Sequence, residues 1–523
     1  MDEDALLGSA RLRWGAGEQA PAALGEGPGA FTLAIQVDSL GVPGTLVAWE
    51  DAPNQPTMRL LVSDAGPLAE LVFQLATSAN PKPIQVSAPV ARIGADSAHA
   101  VVVRFLGCRL ELLVDGVLLD EEWPLGRVLA ARQGAVMPAA AVRRIVVWDR
   151  VLSDDEIDAL AEGRTDREAR ADRYLGPRRP LGQYWRPRGL NVNVGDCMPF
   201  FHDGRFHLFY LLDRHHHQSM WGCGGHQWAH ASTTDLVQWE EHPLTVAIDG
   251  DRAGSNCTGS VFFHGRTFYA FYAVRMFDRS PSPLCAATST DGIHFAKTAP
   301  SAHLEPPYLT EAGRDPVVLR DEAAGGFRML VTTALVKPGG EEVGCLAQLF
   351  SRDLQHWEQR EPFLIPGYRD QPECPDHFEW NGWYYLLFSS EGVAHYRKSR
   401  QPFGPWEQPT VDVFDGPQLC VMKTAAFTGG RRIGAAFVPD SGYGGWVAFR
   451  ELVQHADGAL GTKWPPEMVP ATTTPVTLNP TTPGERNGLV GLGEAPRDFL
   501  LRARVRPTSR GSAFGVQIGR AHV

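Results

Sequence analysis

A short phrase recurs along the middle of this chain. Ser232-Thr233-Thr234-Asp235-Leu236-Val237-Gln238-Trp239 returns as Ser289-Thr290-Asp291-Gly292-Ile293-His294-Phe295, then as Ser351-Arg352-Asp353-Leu354-Gln355-His356-Trp357. A degenerate copy runs from Ser399 to Trp406. The copies stand roughly 50–60 residues apart, long enough for one four-stranded propeller blade each. Apolar runs precede the copies: Phe206 to Tyr210, Thr267 to Tyr272, and Trp383 to Phe388. Each run follows a turn: Asp203-Gly204, His264-Gly265 and Asn381-Gly382. With a final segment from Gly445 to Leu452, the repeat predicts about five blades.

A propeller gathers the innermost strand of each blade around a central channel. Three acids open strand-like runs in different repeats. Asp196 stands in Val194-Gly195-Asp196-Cys197-Met198-Pro199, Asp315 in Gly313-Arg314-Asp315-Pro316, and Glu373 in Pro372-Glu373-Cys374-Pro375-Asp376. Radial sheets would bring them to one point. Two converging carboxylates, with a third to hold the sugar, suit glycoside hydrolysis.

The flanks read differently. Between about Ala10 and Arg150, short β-type runs alternate with Gly/Pro turns, as in an antiparallel sandwich. Asp115-Gly116 predicts a tight hairpin. Ser153 with Glu156 three residues on, and Ile157 with Leu160, predict a short capped helix. This layout resembles a concanavalin/laminin-G-like jelly roll. The expected chain is therefore all-β. A jelly-roll sandwich over 1–163 is followed by a charged, Pro-rich linker at 164–187 and a propeller at 188–470. The start of a C-terminal β-sandwich follows at 484–523. That last region is too short for a sandwich. Its final residues, Ile518-Gly519-Arg520-Ala521-His522-Val523, can be encoded by a string matching a common sequencing-adapter read. The natural gene is accordingly expected to continue past Val516; a genomic stop codon after Val523 would overturn this.

With 60 acidic against 49 basic residues, the formal net charge is -11. That balance argues against nucleic acid or an anionic membrane surface as partner. No run approaches the roughly 20 apolar residues of a membrane helix. The acidic Met1-Asp2-Glu3-Asp4 lacks the layout of a signal peptide. The eight cysteines are scattered and form no close CxxC pair, so free thiols and a cytoplasmic location are expected.

The region from about Asn193 to Leu452 resembles glycoside hydrolase family 32, the invertase, inulinase and levanase group. Asp203 to Tyr210 resembles the family's first-blade hairpin. Trp228-Ala229-His230-Ala231-Ser232 through Trp239 resembles its WGHAxSxDLxxW string. Cys257-Thr258-Gly259-Ser260 stands where the family has FSGS. Arg314-Asp315-Pro316 and Glu373-Cys374-Pro375 match RDP and ECP, and Gly445 to Leu452 resembles the closing GW…PREL. The resemblance implies a five-bladed propeller that cleaves β-fructofuranosides or related furanosides with retention and without a cofactor or metal. It implies Asp196 as nucleophile, Glu373 as acid/base, and Asp315 as the residue holding the sugar hydroxyls. Arg314 would bind a sugar hydroxyl or orient Asp315. Cys257 and Thr258 are expected at the substrate.

One departure matters. The family's first motif is NDPNG, whereas this chain has Gly195-Asp196-Cys197-Met198-Pro199. The Asn before the nucleophile and the Pro-Asn-Gly after it are absent. Related five-bladed arabinofuranosidases, with an inverting mechanism and more widely spaced carboxyls, therefore stay open, as does a non-catalytic carbohydrate-binding protein.

Other residues are weaker candidates. Trp221 and Trp228 would stack on sugar faces or pack in the core. His215-His216-His217 with His226 and Cys223 suggests either a metal site or a polar loop lining the cleft. The second reading is preferred and places His226 at the substrate. Lys423 is expected near the channel. Asp376 either tunes Glu373 or makes a strand-end hydrogen bond.

Overall fold

The computed structural model describes residues 3–15, 29–52, 55–64, 66–79, 82–130, 133–135, 142–161, 166–178, 184–249, 254–416, 419–469, 474–477 and 501. Residues through Glu467 form one compact unit, and a second begins at Met468. Apart from Leu501, the expected sandwich start at 484–523 lies outside the described residues.

The N-terminal part is a two-layer antiparallel sandwich. One sheet has six strands, in spatial order Leu12–Gly15, Val142–Trp148, Phe31–Val37, His99–Phe105, Leu110–Val114 and Val117–Glu122. The other has five: Gln133–Ala135, Gly44–Ala52, Gln55–Val62, Glu70–Leu75 and Ile84–Pro89. Trp49, Phe73, Phe105 and Leu112 fill the space between them. Asp115 (φ 48°) and Gly116 (φ 80°) turn the expected hairpin in the left-handed region that such a tight turn demands. Ser153 and Glu156 form the capping box of helix Asp154–Leu160.

The segment read as a linker is partly helical. Arg167–Leu175 forms a helix that buries Arg170, Ala171 and Tyr174. The spacing of these residues puts them on one side, and Tyr174 donates to Asp115. Of its other charged residues, Glu168, Asp172 and Arg173 stay exposed.

Five antiparallel blades follow, the first and fifth joined into one nine-stranded sheet where Val194 pairs with Gly445. Blade 1 comprises Val192–His202, Arg205–Arg214, Gln227–Thr233 and Glu240–Val246. Blade 2 comprises Gly254–His264, Thr267–Met276, Leu284–Ser289 and Ala296–Lys297. Blade 3 comprises Arg314–Asp321, Gly326–Val336, Glu342–Ser351 and Glu358–Leu364. Blade 4 has Glu373–Trp380, Trp383–Ser390 and Val393–Ser399. Blade 5 has Cys420–Phe427, Arg431–Pro439, Gly445–Gln454 and Leu460–Lys463. Tyr184–Trp185, which precedes blade 1, pairs with the blade 5 strand Gly445–Gln454. The ring is thus closed by hydrogen bonds that cover an otherwise free strand edge. Apolar faces of neighbouring blades pack together, as where Met198, Phe209 and Trp228 meet Ala270, Tyr272 and Val274. No helix among the described residues is long and apolar enough to cross a membrane.

The recurring phrase is a turn between the third and fourth strands. The hydroxyls of Thr233, Ser289 and Ser351 accept the N–H groups of Leu236, Gly292 and Leu354. The Oδ1 atoms of Asp235, Asp291 and Asp353 each accept from two further backbone N–H groups. A short polar side chain thereby satisfies backbone that leaves the sheet.

A second repetition is absent from the pattern of residue types. Every innermost strand loses register with its neighbour at the same level. The shifts fall between Val194 and Cys197, Asn256 and Gly259, Arg314 and Val317, Glu373 and Asp376, and Cys420 and Lys423. A bulge re-aims the residues it contains. Asp315, Cys374 and Val421 even take positive φ, 56°, 50° and 51°, a strained conformation for such residues.

The sandwich also docks on blade 1. Trp123 is fully buried and packs with Met220 and Ile248. Arg214 Nε donates to Glu121 at 3.1 Å, and His215 Nε2 lies 2.8 Å from Asp120. Trp123→Ala would empty this contact and is expected to lower unfolding stability by about 3–5 kcal/mol, read as a lower urea midpoint. A midpoint equal to wild type would show that the docking contributes nothing.

Candidate active site

The bulges bring residues of all five blades to one end of the channel. Asp196, from blade 1, is held on both carboxylate oxygens. Oδ2 accepts from the hydroxyl of Thr258 and, at 3.4 Å, from the thiol of Cys374. Oδ1 accepts from the phenol of Tyr443 at 2.9 Å. Asp315, from blade 3, is buried and accepts from the Cys374 N–H at 3.0 Å. Donor atoms of Asp196, Asp315 and Cys374 all lie within 4.8 Å of one another.

Glu373, from blade 4, sits at the channel mouth with 43% of its side chain accessible. Its Oε1 accepts from Arg314 Nη2 at 3.0 Å. Arg314 also donates to Gln371 and approaches Asp315 at 3.8 Å, so it spans the two acids. Burial raises the pKa of Glu373; Arg314 opposes this, and the charges of Asp315 and Asp196 reinforce it. Burial, followed by the charge of Asp315, likewise raises that of Asp196, against the hydrogen bonds from Thr258, Tyr443 and Cys374. Lys423 lies beside this group, buried, with Nζ donating to the Gly259 carbonyl at 2.8 Å. Desolvation lowers its pKa. The arrangement is a cluster of acids, Asp315 buried and Asp196 and Glu373 partly so, compensated by one guanidinium and one amine.

The remaining expected contacts separate by burial. Thr258 reaches Asp196. Cys257 is buried, and its thiol faces the Ser255 carbonyl at 3.8 Å. Trp228 is fully enclosed and donates to the Cys257 carbonyl at 2.9 Å. An indole with both faces packed cannot be a sugar platform, so Trp228 is a core residue. The side chain of Trp221 lies outside the described residues. Asp376 accepts from Thr424, on both N and Oγ1, which is the strand-end bond rather than a contact to Glu373.

His226 is a layer behind the acids. Its Nε2 lies 2.9 Å from Asp213 Oδ1, and its ring stacks on Tyr443 at 5.1 Å. Asp213, His217 and His226 gather their donor atoms within 4.8 Å, while Cys223 packs beside Trp123 instead. The exposed Arg275 stands 3.3 Å from His217 Nε2.

Tyr443 escaped the sequence reading. The signal available was an aromatic residue inside Ser441-Gly442-Tyr443-Gly444-Gly445, directly before a recognised string. Nothing local ties it to Asp196, 247 residues away.

Residues 197–406 match the family model described as the glycosyl hydrolases family 32 N-terminal domain. Over these residues the propeller is similar to glycoside hydrolase family 32. The match begins one residue after Asp196, where this chain departs from the family's first motif. Among curated relatives, a probable sucrose-6-phosphate hydrolase of Psychromonas ingrahamii is 29% identical over 245 residues, covering 44% of this chain and 40% of that protein. The sucrose-6-phosphate hydrolase of Escherichia coli is 28% identical over 240 residues, covering 42% and 43%. The chain thus spans about two-fifths of the length of the curated relatives it matches. The solved sucrose-6-phosphate hydrolase of Lactobacillus gasseri aligns with 17% identity and a TM-score of 0.45, over 54% of this chain and 63% of that one.

Proposed function

We propose that this chain hydrolyses β-fructofuranosides by a retaining double displacement. One observation carries the reading: bulged inner strands bring Asp196, Asp315 and Glu373 together in one channel. The match to the family 32 model and the sucrose-6-phosphate hydrolases among its relatives support it. An Asp196 oxygen attacks the anomeric carbon as the bond to the leaving oxygen breaks. Glu373 gives that oxygen its proton, leaving a glycosyl ester on Asp196. Glu373, now a carboxylate, takes a proton from water, which attacks the same carbon and releases Asp196. Asp315 holds sugar hydroxyls, and Arg314 holds Glu373 between turnovers. Such a pair needs one ionised and one protonated carboxyl about 5–5.5 Å apart. A cytoplasmic setting belongs to the same reading, supported by the buried thiols of Cys197, Cys257, Cys345 and Cys374, none of them in a disulfide.

Sucrose, sucrose 6-phosphate, raffinose, inulin and an aryl arabinofuranoside form the test panel, with methanol as competing acceptor. Fructose release and methyl β-fructofuranoside, seen by NMR, are expected. Cleavage of the arabinoside alone, or an inverted methyl product, would replace the proposal with its furanosidase alternative. Binding without cleavage of any member would favour the lectin-like one.

A further inference from the structure

The altered motif around Asp196 has a structural partner. Gly195 stands where the family places Asn, and its φ lies outside the left-handed region, so the backbone does not demand glycine. Space does. A Cβ at Gly195 would fall 2.6 Å from Tyr443 Oη and 2.9 Å from its Cε1. The phenol occupies the room that a side chain before the nucleophile would need. From there it bonds Asp196 twice. Its hydroxyl donates to Oδ1 at 2.9 Å and accepts the Asp196 N–H at 3.3 Å.

The ring is firmly placed. His217 meets it edge-on at 4.9 Å, His226 stacks on it, and Phe437 packs at 5.2 Å. Its carbonyl faces His216 Nδ1 at 3.1 Å. Burial, then the Asp196 and Asp213 charges, raise the phenol's pKa far above its usual value, so it stays a donor throughout the working pH range.

We infer that Gly195 and Tyr443 act as a pair, in which Tyr443 is the positioning residue that aims Asp196 and holds it ionised. This rests on the proposed nucleophilic role of Asp196. A hydrogen bond to the charged form of an acid favours that form, and here it opposes the burial and the neighbouring Asp315 that work against ionisation. The other groups facing Asp196 are Thr258 from blade 2, Asp315 from blade 3, Glu373 and Cys374 from blade 4, and Lys423 from blade 5. All remain in place when only the phenol oxygen is removed.

The test is Tyr443→Phe, which keeps the ring and deletes the hydroxyl, assayed on whichever fructoside the wild type cleaves. The expected result is a fall in kcat of roughly 10–100-fold with KM nearly unchanged, since a poorly aimed Asp196 still allows the sugar to bind but attacks its anomeric carbon less often. The acid limb of the kcat/KM profile should move to higher pH, because Asp196 loses a bond that lowers its pKa. A packing role alone would leave that limb in place. Gly195→Ala, which forces the phenol away, should shift the limb in the same direction and supplies the answer if Tyr443→Phe folds poorly. Asp196→Asn is run in parallel. If it retains activity, the nucleophile assignment fails. If it is inactive while both other variants keep wild-type kcat and acid limb, the positioning role is overturned.

Discussion

Asp196→Asn is expected to remove turnover almost completely, with kcat falling roughly 10⁴-fold or more, as when other enzymes lose a nucleophile. The substitution is nearly isosteric. The amide oxygen can still accept from Thr258 or Tyr443, so folding and sugar binding should survive. What disappears is the anionic oxygen that forms the glycosyl ester. Wild-type enzyme mixed with a slow fluorosugar substrate should gain the mass of one glycosyl group on the peptide containing Asp196, and the variant should gain none. Labelling elsewhere, or full activity in the variant, would move the nucleophile away from the altered motif.

Glu373→Gln carries the second large effect. General acids contribute about 10²–10⁴-fold, and the loss should depend on the leaving group. An alkyl or sugar alkoxide needs the proton, so sucrose cleavage should fall through this whole range. A nitrophenolate leaves without one, so the first step on an aryl fructoside should slow far less, and added azide should restore the second step as fructosyl azide. The pH dependence follows the shift. Desolvation raises the pKa of Glu373 above the usual carboxylate range, with the Asp315 and Asp196 charges adding to it. Its proton is therefore retained to higher pH, and activity is lost as pH rises through the shifted value. The variant has no such proton to lose, so its alkaline limb should vanish. Arg314 acts the other way by favouring the carboxylate, so weakening that contact should move the wild-type limb upward. Equal losses on both leaving groups would remove Glu373 from the acid role.

Much of this architecture was legible because it is local. The Ser/Thr-x-Asp turns are satisfied within a few residues, and Asp115-Gly116 and Ser153 announce a hairpin and a helix by backbone chemistry close in sequence. Asp315 and Glu373 were found because they sit in intact strings. Trp228 shows the limit. An aromatic near the cleft reads the same whether it faces sugar or core, and only packing against Tyr272 and Cys257 decides. The helix at Arg167–Leu175 was missed because its buried residues are few among many charges.

By itself the sequence determined the repeat unit, the blade number and the three candidate acids, because these are set by alternation, turn chemistry and short motifs. Tertiary structure alone decided how the ring closes, where the inner strands bulge and what holds Asp196. Each depends on groups distant in sequence: Tyr184–Trp185 on blade 5, Cys374 on Asp315, and Tyr443 in the space that Gly195 leaves. No pattern of neighbouring residues encodes such meetings; they arise when five packed blades bring their innermost strands together.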